Sequence, residues 1–284
     1  MDFLTHPETT RIIREALRED IGPGDYTSLS TIPDGLTARA RCLIKDEGIL
    51  AGVEIAKLIF AEVDAALQVE HLLDDGTPVT YGDIAFRVEG NPRSILQAER
   101  LVLNIMQRMS GISTMTRKVM AQLEGLSCSV LDTRKTTPLV RHLEKWAVHI
   151  GGGTNHRFGL YDMVMIKDNH VDYAGGITAA VKACQAYQQQ HSLSLKIEVE
   201  TRNLEEVREA LEVGGVDRIM LDNMSLDMMR EAVGMIGDRA ETEASGGITM
   251  DTVRAVGETG VNYISMGALT HSVRSLDISL KAIQ

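Results

Sequence analysis

From Leu126 onward the chain repeats one pattern six times: a short apolar run, then an amphipathic stretch. "CSVLD" leads to "LVRHLEKWAVHI", "MVMI" to "ITAAVKACQAYQQQ", and "LKIEV" to "NLEEVREALEVG". "RIML" leads to "SLDMMREAVGMI", "ETEAS" to "TMDTVRAVGETG", and "NYIS" to "LTHSVRSLDISLKAI". Continuous apolar runs fit strands buried on both faces, and the 3.6-period segments fit helices that cover them. Such a series folds as a parallel α/β architecture, a barrel or a doubly wound sheet. The residues just beyond the strands favour the barrel. They are Arg134 and Lys135, Lys167 and Asp168, Glu200, Asp222 and Asn223, Ser245-Gly246-Gly247, and Ser265-Met266-Gly267. Chemical groups at strand ends converge on one rim of a β/α barrel, where loops after late strands often hold phosphate. Six units fall short of eight, so the barrel is expected to be incomplete or distorted; any missed strand would lie near Gly151–Gly153.

The first ~110 residues read differently. Alternation in "TARARCLIKDE" and "IAFRVEG", with turns at Gly48, Gly76, Gly82 and Asn91-Pro92, predicts an antiparallel sheet. "TTRIIREALRED" and "GVEIAKLIFAEV" supply helices against it. "SILQAERLVLNIMQRMSGIST" opens on a Ser94…Gln97 capping box and carries apolar residues at helical spacing. The expected division is an N-terminal α+β domain over 1–110, a β/α barrel over 111–268, and a last helix over 269–284 packing back on the N-terminal domain.

The 284 residues carry a formal net charge of −11, which argues against nucleic acid as a partner. Three widely spaced cysteines, Cys42, Cys128 and Cys184, predict neither a disulfide framework nor a zinc site. The charged start "MDFLTHPETTRIIREALRED" lacks a secretory apolar region, and no apolar run approaches a membrane span, so a cytoplasmic location is expected.

Against this acidity, Leu131–His170 gathers six Lys/Arg and four His with only four acids. A cationic enclave of this kind suits a small anion. Arg134-Lys135 precede Thr136, Thr137 and Pro138, which can cap a helix or hold an anion at its start. Gly151-Gly152-Gly153 allows the backbone to pass close to a ligand, and His156 beside Arg157 offers donors for a carboxylate. Lys167, at a strand end, suits an electrostatic clamp or a Schiff base. Glu200 and Asp222 are costly in a cationic site unless they meet a metal or an incoming positive charge. The Ser245–Gly247 and Ser265–Gly267 turns suit phosphate. His142, His149 and His170 form no metal set. Neither GxGxxG nor a P-loop occurs.

In fixed order, "DTRKTTP…LEKWAV…GGGTNHRFGLYDMVMIKDNH", "IEVE", "IMLDN", "EASGGI" and "SMGALTHSVRSLDISL" closely resemble the quinolinate phosphoribosyltransferase family. The resemblance extends to "AERLVLNIMQRMSGIST" and "REDIGPGDYTS". It implies an N-terminal α/β sandwich and an incomplete β/α barrel in a homo-oligomer, dimer or hexamer. It implies phosphoribosyl transfer from phosphoribosyl pyrophosphate to quinolinate, with Mg²⁺ and loss of CO₂, giving nicotinate mononucleotide. Carried over by motif, Arg134, His156, Arg157 and Lys167 surround the two carboxylates, and Arg100 of "AER" arrives from a partner subunit. Lys135, Glu200 and Asp222 serve the phosphoribosyl side, with Mg²⁺ held directly or indirectly by the two acids. Ser245, Gly246, Gly247, Ser265, Met266 and Gly267 take the 5′-phosphate. One departure is Leu139 after Pro138, where the family commonly has glycine.

Rival readings are a Schiff-base aldolase on Lys167, a related pyrophosphorylase associated with molybdenum transport, and a non-catalytic anion-binding protein. The intact "KDNH" and "TNHR" favour quinolinate.

Overall fold

The computed structural model describes residues 2–283. In chain order the first half contains α1 (Pro7–Ile21), α2 (Tyr26–Thr31), β1 (Ala38–Ile44), β2 (Gly48–Ile49), α3 (Val53–Val63), β3 (Gln68–His71), β4 (Pro78–Val79), β5 (Ile84–Gly90) and the long α4 (Pro92–Gln122). There follow β6 (Ser129–Leu131), α5 (Arg141–Ile150), β7 (Val164–Ile166), α6 (Asp168–Ala174), α7 (Ile177–Gln190), β8 (Ile197–Thr201) and α8 (Leu204–Val213). The remainder is β9 (Arg218–Asp222), α9 (Leu226–Ile236), β10 (Glu241–Ser245), α10 (Val253–Gly257), β11 (Tyr263–Ser265), α11 (Ala268–His271) and β12 (Ile278–Ile283).

The chain divides into two compact units. One comprises Met1–Arg117, Thr136–Gly152 and Leu269–Gln284; the other comprises Lys118–Lys135 and Gly153–Ala268. The division differs from the three consecutive blocks read from sequence, because α5 and the C-terminal segment belong with the first unit.

The first unit is built on an antiparallel sheet of order β12-β1-β5-β3. Alternation sends Ala40, Cys42 and Ile44 of β1 inward and leaves Arg39 and Arg41 outside. Phe86 of β5 and Leu280 of β12 both stand opposite Cys42, and Phe86 meets Phe60 of α3 edge-on at 5.7 Å. Segment 269–284, expected as a helix, shortens to α11 and continues as β12. Its buried residues, Ile278 and Leu280, recur with period two, and β1 offers them an open edge.

Two local expectations are also corrected. Helix α4 starts at Pro92, with Asn91 Oδ1 accepting from the Arg93 N–H at 2.9 Å. Proline suits the first helical position, and Ser94 instead donates to Asp64 Oδ2 at 2.8 Å. Of the triple glycine, Gly151 serves packing in this unit. A Cβ on Gly151 would lie 2.6 Å from Thr116 Cβ and 2.7 Å from the Ser113 carbonyl, both on α4.

The second unit holds six parallel strands in the order β6-β11-β10-β9-β8-β7, with helices α7, α8, α9 and α10 in the connections. Thr154 adds a single-residue parallel bridge to Leu131. It is a one-residue bridge and not a further strand near the glycines, and no ladder joins it to β7 among the described residues. The β/α barrel is therefore incomplete at that seam. Its strands are not the continuous apolar runs expected. In β8, all five residues are buried, yet Glu198 and Glu200 alternate with Ile197, Val199 and Thr201. Pairing aligns Glu198 with Arg218 and Arg218 with Glu241, then Glu200 with Met220 and Met220 with Glu243. Charged side chains thus meet one another across strands, which makes their burial tolerable.

Candidate active site

A cavity of about 320 Å³ opens at the C-terminal strand ends of the second unit. Each strand contributes through its position. Arg134 and Lys135 follow β6, Lys167 follows β7, Ser245 ends β10 and Ser265 ends β11, while His156 and Arg157 come from the loop after Thr154. Met165, Met220 and Thr133 supply the rest of the wall, and Glu243 is its one carboxylate. Four Arg/Lys side chains facing one carboxylate leave the cavity cationic. A larger hollow of about 430 Å³ lies on the sheet of the first unit, but its charges pair internally, Arg39 with Glu89 at 2.7 Å and Arg87 with Glu70 at 2.8 Å. It offers no comparable surplus.

The loop bearing His156 and Arg157 is held by two acids. Asp132, fully buried, accepts from the His156 N–H at 2.9 Å and from Asn155 Nδ2 at 2.6 Å. Asp162 accepts from the N–H groups of Phe158 at 2.6 Å and Gly159 at 2.8 Å, closing the turn behind Arg157. Arg157 Nη1 donates to the Met163 carbonyl at 3.3 Å. Burial, then the nearby Arg134, holds the Arg157 pKa below its usual value. Both effects disfavour its charge until an anion arrives.

His156 is buried, and both ring nitrogens are engaged by protein groups. Nδ1 accepts the Arg157 N–H at 2.6 Å, while Nε2 lies 3.1 Å from Glu198 Oε2 and 3.3 Å from Glu243 Oε2. Arg218 Nη1 closes the cluster, 3.1 Å from Glu243 and 3.9 Å from Glu198, with its guanidinium 4.2 Å from the Tyr263 ring centre. Burial pushes the imidazole pKa down, but the hydrogen bonds to Glu198 and Glu243 outweigh it and raise the pKa to about 9. A doubly protonated ring would nevertheless set a proton against the Arg157 amide. The 2.6 Å contact therefore places the proton of this conformation on Nε2. Burial raises the Glu198 pKa; it also pushes Glu243 up, but His156 and Arg218 prevail and hold Glu243 below the usual carboxyl value.

His156, Glu198 and Glu243 are the one group among the described residues with ligand atoms close enough for a metal. Ligation by Nε2 would require the proton on Nδ1, where the Arg157 amide already points, and Arg218 neutralises the same carboxylates. This set suits an ion-paired floor, not a metal.

The other sequence-derived residues are placed as follows. Lys167 Nζ meets Glu200 Oε2 at 3.1 Å, so the expected clamp and the expected acid are already paired. Asp222 Oδ2 accepts from Asn223 Nδ2 at 2.7 Å. Its Oδ1 makes no hydrogen bond or ion pair among the described residues. Asn223 has a left-handed φ of 53°, and its N–H donates to the Ser245 carbonyl at 2.9 Å. Gly246, at φ 101°, lies so close to the Asn223 carboxamide that a Cβ would collide with it. The Ser245–Gly247 turn thus requires glycine on both grounds. Met266 N donates to the Leu131 carbonyl at 3.0 Å, which joins the Ser265–Gly267 turn to the neighbouring strand end. Arg134 is exposed with no partner among the described residues, and Lys135 is exposed beside it. Arg100 is likewise exposed, on α4 of the first unit.

The sequence reading missed Asp132, Glu198, Arg218 and Glu243. The signal was present in the i, i+2 spacing of Glu198-Glu200 and Glu241-Glu243, which sets acids on one face of each strand.

Fold and site together define a β/α-barrel enzyme with a cationic pocket at its strand ends. The chain belongs to the quinolinate phosphoribosyl transferase family. The family's N-terminal domain model matches residues 25–110 and its C-terminal domain model residues 112–281. A chloroplastic nicotinate-nucleotide pyrophosphorylase [carboxylating] of Oryza sativa is 50% identical, over 97% of this chain and 78% of its own length. A probable nicotinate-nucleotide pyrophosphorylase [carboxylating] of Bacillus subtilis is 43% identical, over 98% of this chain and 94% of its own. Among solved structures, NadC from Streptococcus pyogenes superposes with a TM-score of 0.92 at 37% identity, covering 98% of both chains.

Proposed function

We infer that the protein transfers a phosphoribosyl group from phosphoribosyl pyrophosphate to quinolinate and releases pyrophosphate and CO₂, leaving nicotinate mononucleotide. The observation that carries this reading is the cavity in which Arg134, Lys135, Arg157 and Lys167 converge opposite the Ser245–Gly247 and Ser265–Gly267 turns. Such a pocket fits a dicarboxylate beside a phosphate, and a monocarboxylate would leave cations unmatched.

Arg134 and Arg157 grip the carboxylates, with Arg100 added from a partner subunit of a homo-oligomer, dimer or hexamer. His156, expected beside them around the carboxylates, instead holds Arg157, because both its ring nitrogens already face protein groups. Lys167 exchanges its Glu200 partner for substrate, which frees Glu200 for the sugar. Glu200 and Asp222 then face the positive charge that develops on the ribose as pyrophosphate leaves, while Lys135 lies on the departing side. Mg²⁺, held by Asp222 directly or through water, would neutralise the pyrophosphate. The pyridine nitrogen attacks the anomeric carbon, so orientation supplies much of the rate. Once alkylated, that nitrogen is cationic and stabilises the electron pair left on the adjacent ring carbon when its carboxylate departs as CO₂, and that carbon then takes a proton from water. No covalent enzyme intermediate is required.

No helix among the described residues is long and apolar enough to cross a membrane. A cytoplasmic setting is part of the proposed reading, and the buried Cys42 and Cys128 thiols suit it.

The test is incubation with quinolinate, phosphoribosyl pyrophosphate and Mg²⁺, following nicotinate mononucleotide and CO₂ together, with nicotinate as control. Equal amounts of both products from quinolinate alone support the reading. Silence from folded protein removes it and favours the related pyrophosphorylase.

A further inference from the structure

Beneath the cavity lies a charged cluster that the proposed chemistry does not consume. Glu198 of β8 and Glu243 of β10 have no exposed surface, and Arg218 of the intervening β9 joins them. Burying such a group of ions rarely improves stability over an apolar packing of the same volume. An apolar floor, however, could not orient an imidazole. Here the two carboxylates converge on one ring nitrogen of His156, at 3.1 and 3.3 Å. The opposite nitrogen takes the backbone N–H of Arg157 at 2.6 Å. From the other side Asp132 takes the backbone N–H of His156 at 2.9 Å. The backbone is thereby pinned at two successive amides, those of His156 and Arg157, and the Arg157 side chain leaves it for the cavity.

We propose that Glu198 and Glu243 are positioning residues: acting through the His156 ring, they fix the backbone from which Arg157 reaches a substrate carboxylate. The inference rests on the reading that Arg157 grips a carboxylate. It accounts for three features together: the paired acids on strands flanking β9, the engagement of both imidazole nitrogens, and the burial of Arg218 between them. It also divides labour inside the pocket. Dicarboxylate recognition depends on the floor, whereas the Ser245–Gly247 turn is organised separately by Asn223. Loosening the floor at Glu198 should therefore weaken one substrate and spare the other. A general loss of structure would weaken both.

The probe is benzene-1,2-dicarboxylate, which keeps the two adjacent carboxylates and lacks the nucleophilic nitrogen. Its affinity is measured by calorimetry for the wild type, Glu243→Gln, Glu198→Gln and Arg157→Ala, and for each Gln change combined with Arg157→Ala. Each single Gln variant is expected to lose affinity on the order of tenfold, as when an outer-shell partner of a ligating histidine is removed. Phosphoribosyl pyrophosphate affinity should stay within about twofold in Glu198→Gln, the discriminating variant, because Glu243 also bonds to Ser265 and shares its strand with Ser245. In the Arg157→Ala background neither Gln change should cost more, because the group it positions is gone. A loss that persists in that background, or that in Glu198→Gln falls equally on both ligands, overturns the proposal. If Glu243→Gln shows no cooperative melting, Glu243→Asp, which keeps the charge and shortens its reach, serves the same comparison. Wild-type turnover of quinolinate with undiminished dicarboxylate binding in the Gln variants removes the positioning role alone. A wild type inert toward quinolinate removes the functional reading instead.

Discussion

The two sheets of this molecule solve the same problem in opposite ways. In the first unit the inward positions of β1, β5 and β12 are Ala40, Cys42, Ile44, Phe86, Val88, Ile278 and Leu280, an apolar layer over α3. In the second unit, buried positions of β8, β9 and β10 include Glu198, Glu200, Arg218 and Glu243. One sheet buries hydrocarbon and derives stability from it. The other buries charge, and what it gains is a fixed set of polar directions beneath a pocket. Stability and function are thus carried by different units, and substitutions should separate them.

The largest separation is expected at Arg157. Arg157→Ala should lower kcat/KM for quinolinate by about a thousandfold, equivalent to ~4 kcal/mol of transition-state stabilisation, with the melting temperature nearly unchanged. Activity within tenfold of wild type would remove Arg157 from the site. The mirror experiment is Phe86→Ala in the apolar sheet. Removing this fully buried ring should cost about 3–5 kcal/mol in denaturant unfolding while leaving the quinolinate KM of the folded fraction intact. A smaller, mixed effect belongs to Gly246→Ala. The added Cβ meets the Asn223 side chain and strains a left-handed backbone, so we expect ~1–3 kcal/mol of destabilisation. The KM for phosphoribosyl pyrophosphate should rise with it, and that for quinolinate should not.

Leu139→Gly sharpens the comparison from the stabilising side. Leu139 holds φ 68° with its side chain 77% exposed, so little packing offsets the left-handed strain. Glycine should raise stability by up to about 1 kcal/mol, read as a higher melting temperature at equal activity. The smallest effect is a pH dependence confined to the first unit. Burial lowers the His142 pKa from its usual 6.5, where the ring meets the Phe3 carbonyl at 3.0 Å and lies tilted against His6, with ring centres 4.7 Å apart. The unfolded chain then takes up the proton more readily than the folded one. The contribution is intact above pH 6.5 and declines as pH falls from there toward the lower folded pKa. Melting followed between pH 5 and 8 should show a drop on the acid side that His142→Gln reduces.

The β/α series was legible because each strand and helix announces itself locally, by run length and by period. The site's rim was legible for the same reason: Arg134, Lys167, Ser245 and Ser265 stand where strands stop. Its floor was not. Glu198 and Glu243 interrupt apolar runs without any local sign that they share a partner, and their convergence on His156 depends on barrel closure. β12 was hidden similarly. "ISLKAI" is compatible with either helix or strand, and only the open edge of β1, distant in sequence, decides between them. Leu139 was visible as a departure from a common glycine, but its left-handed backbone explains why glycine is common there.

The pairing of β12 with β1 also bears on how the chain is made. Among the described residues, the first strand to leave a ribosome takes as its neighbour the last. Until then, the edge bearing Arg39, Arg41 and Leu43 has no mate and remains open to other chains. The first unit therefore cannot close its sheet until β12 has been made, whereas the residues of the second unit are all available earlier. Emergence of β12, not of the three strands before it, is the event that closes the first sheet.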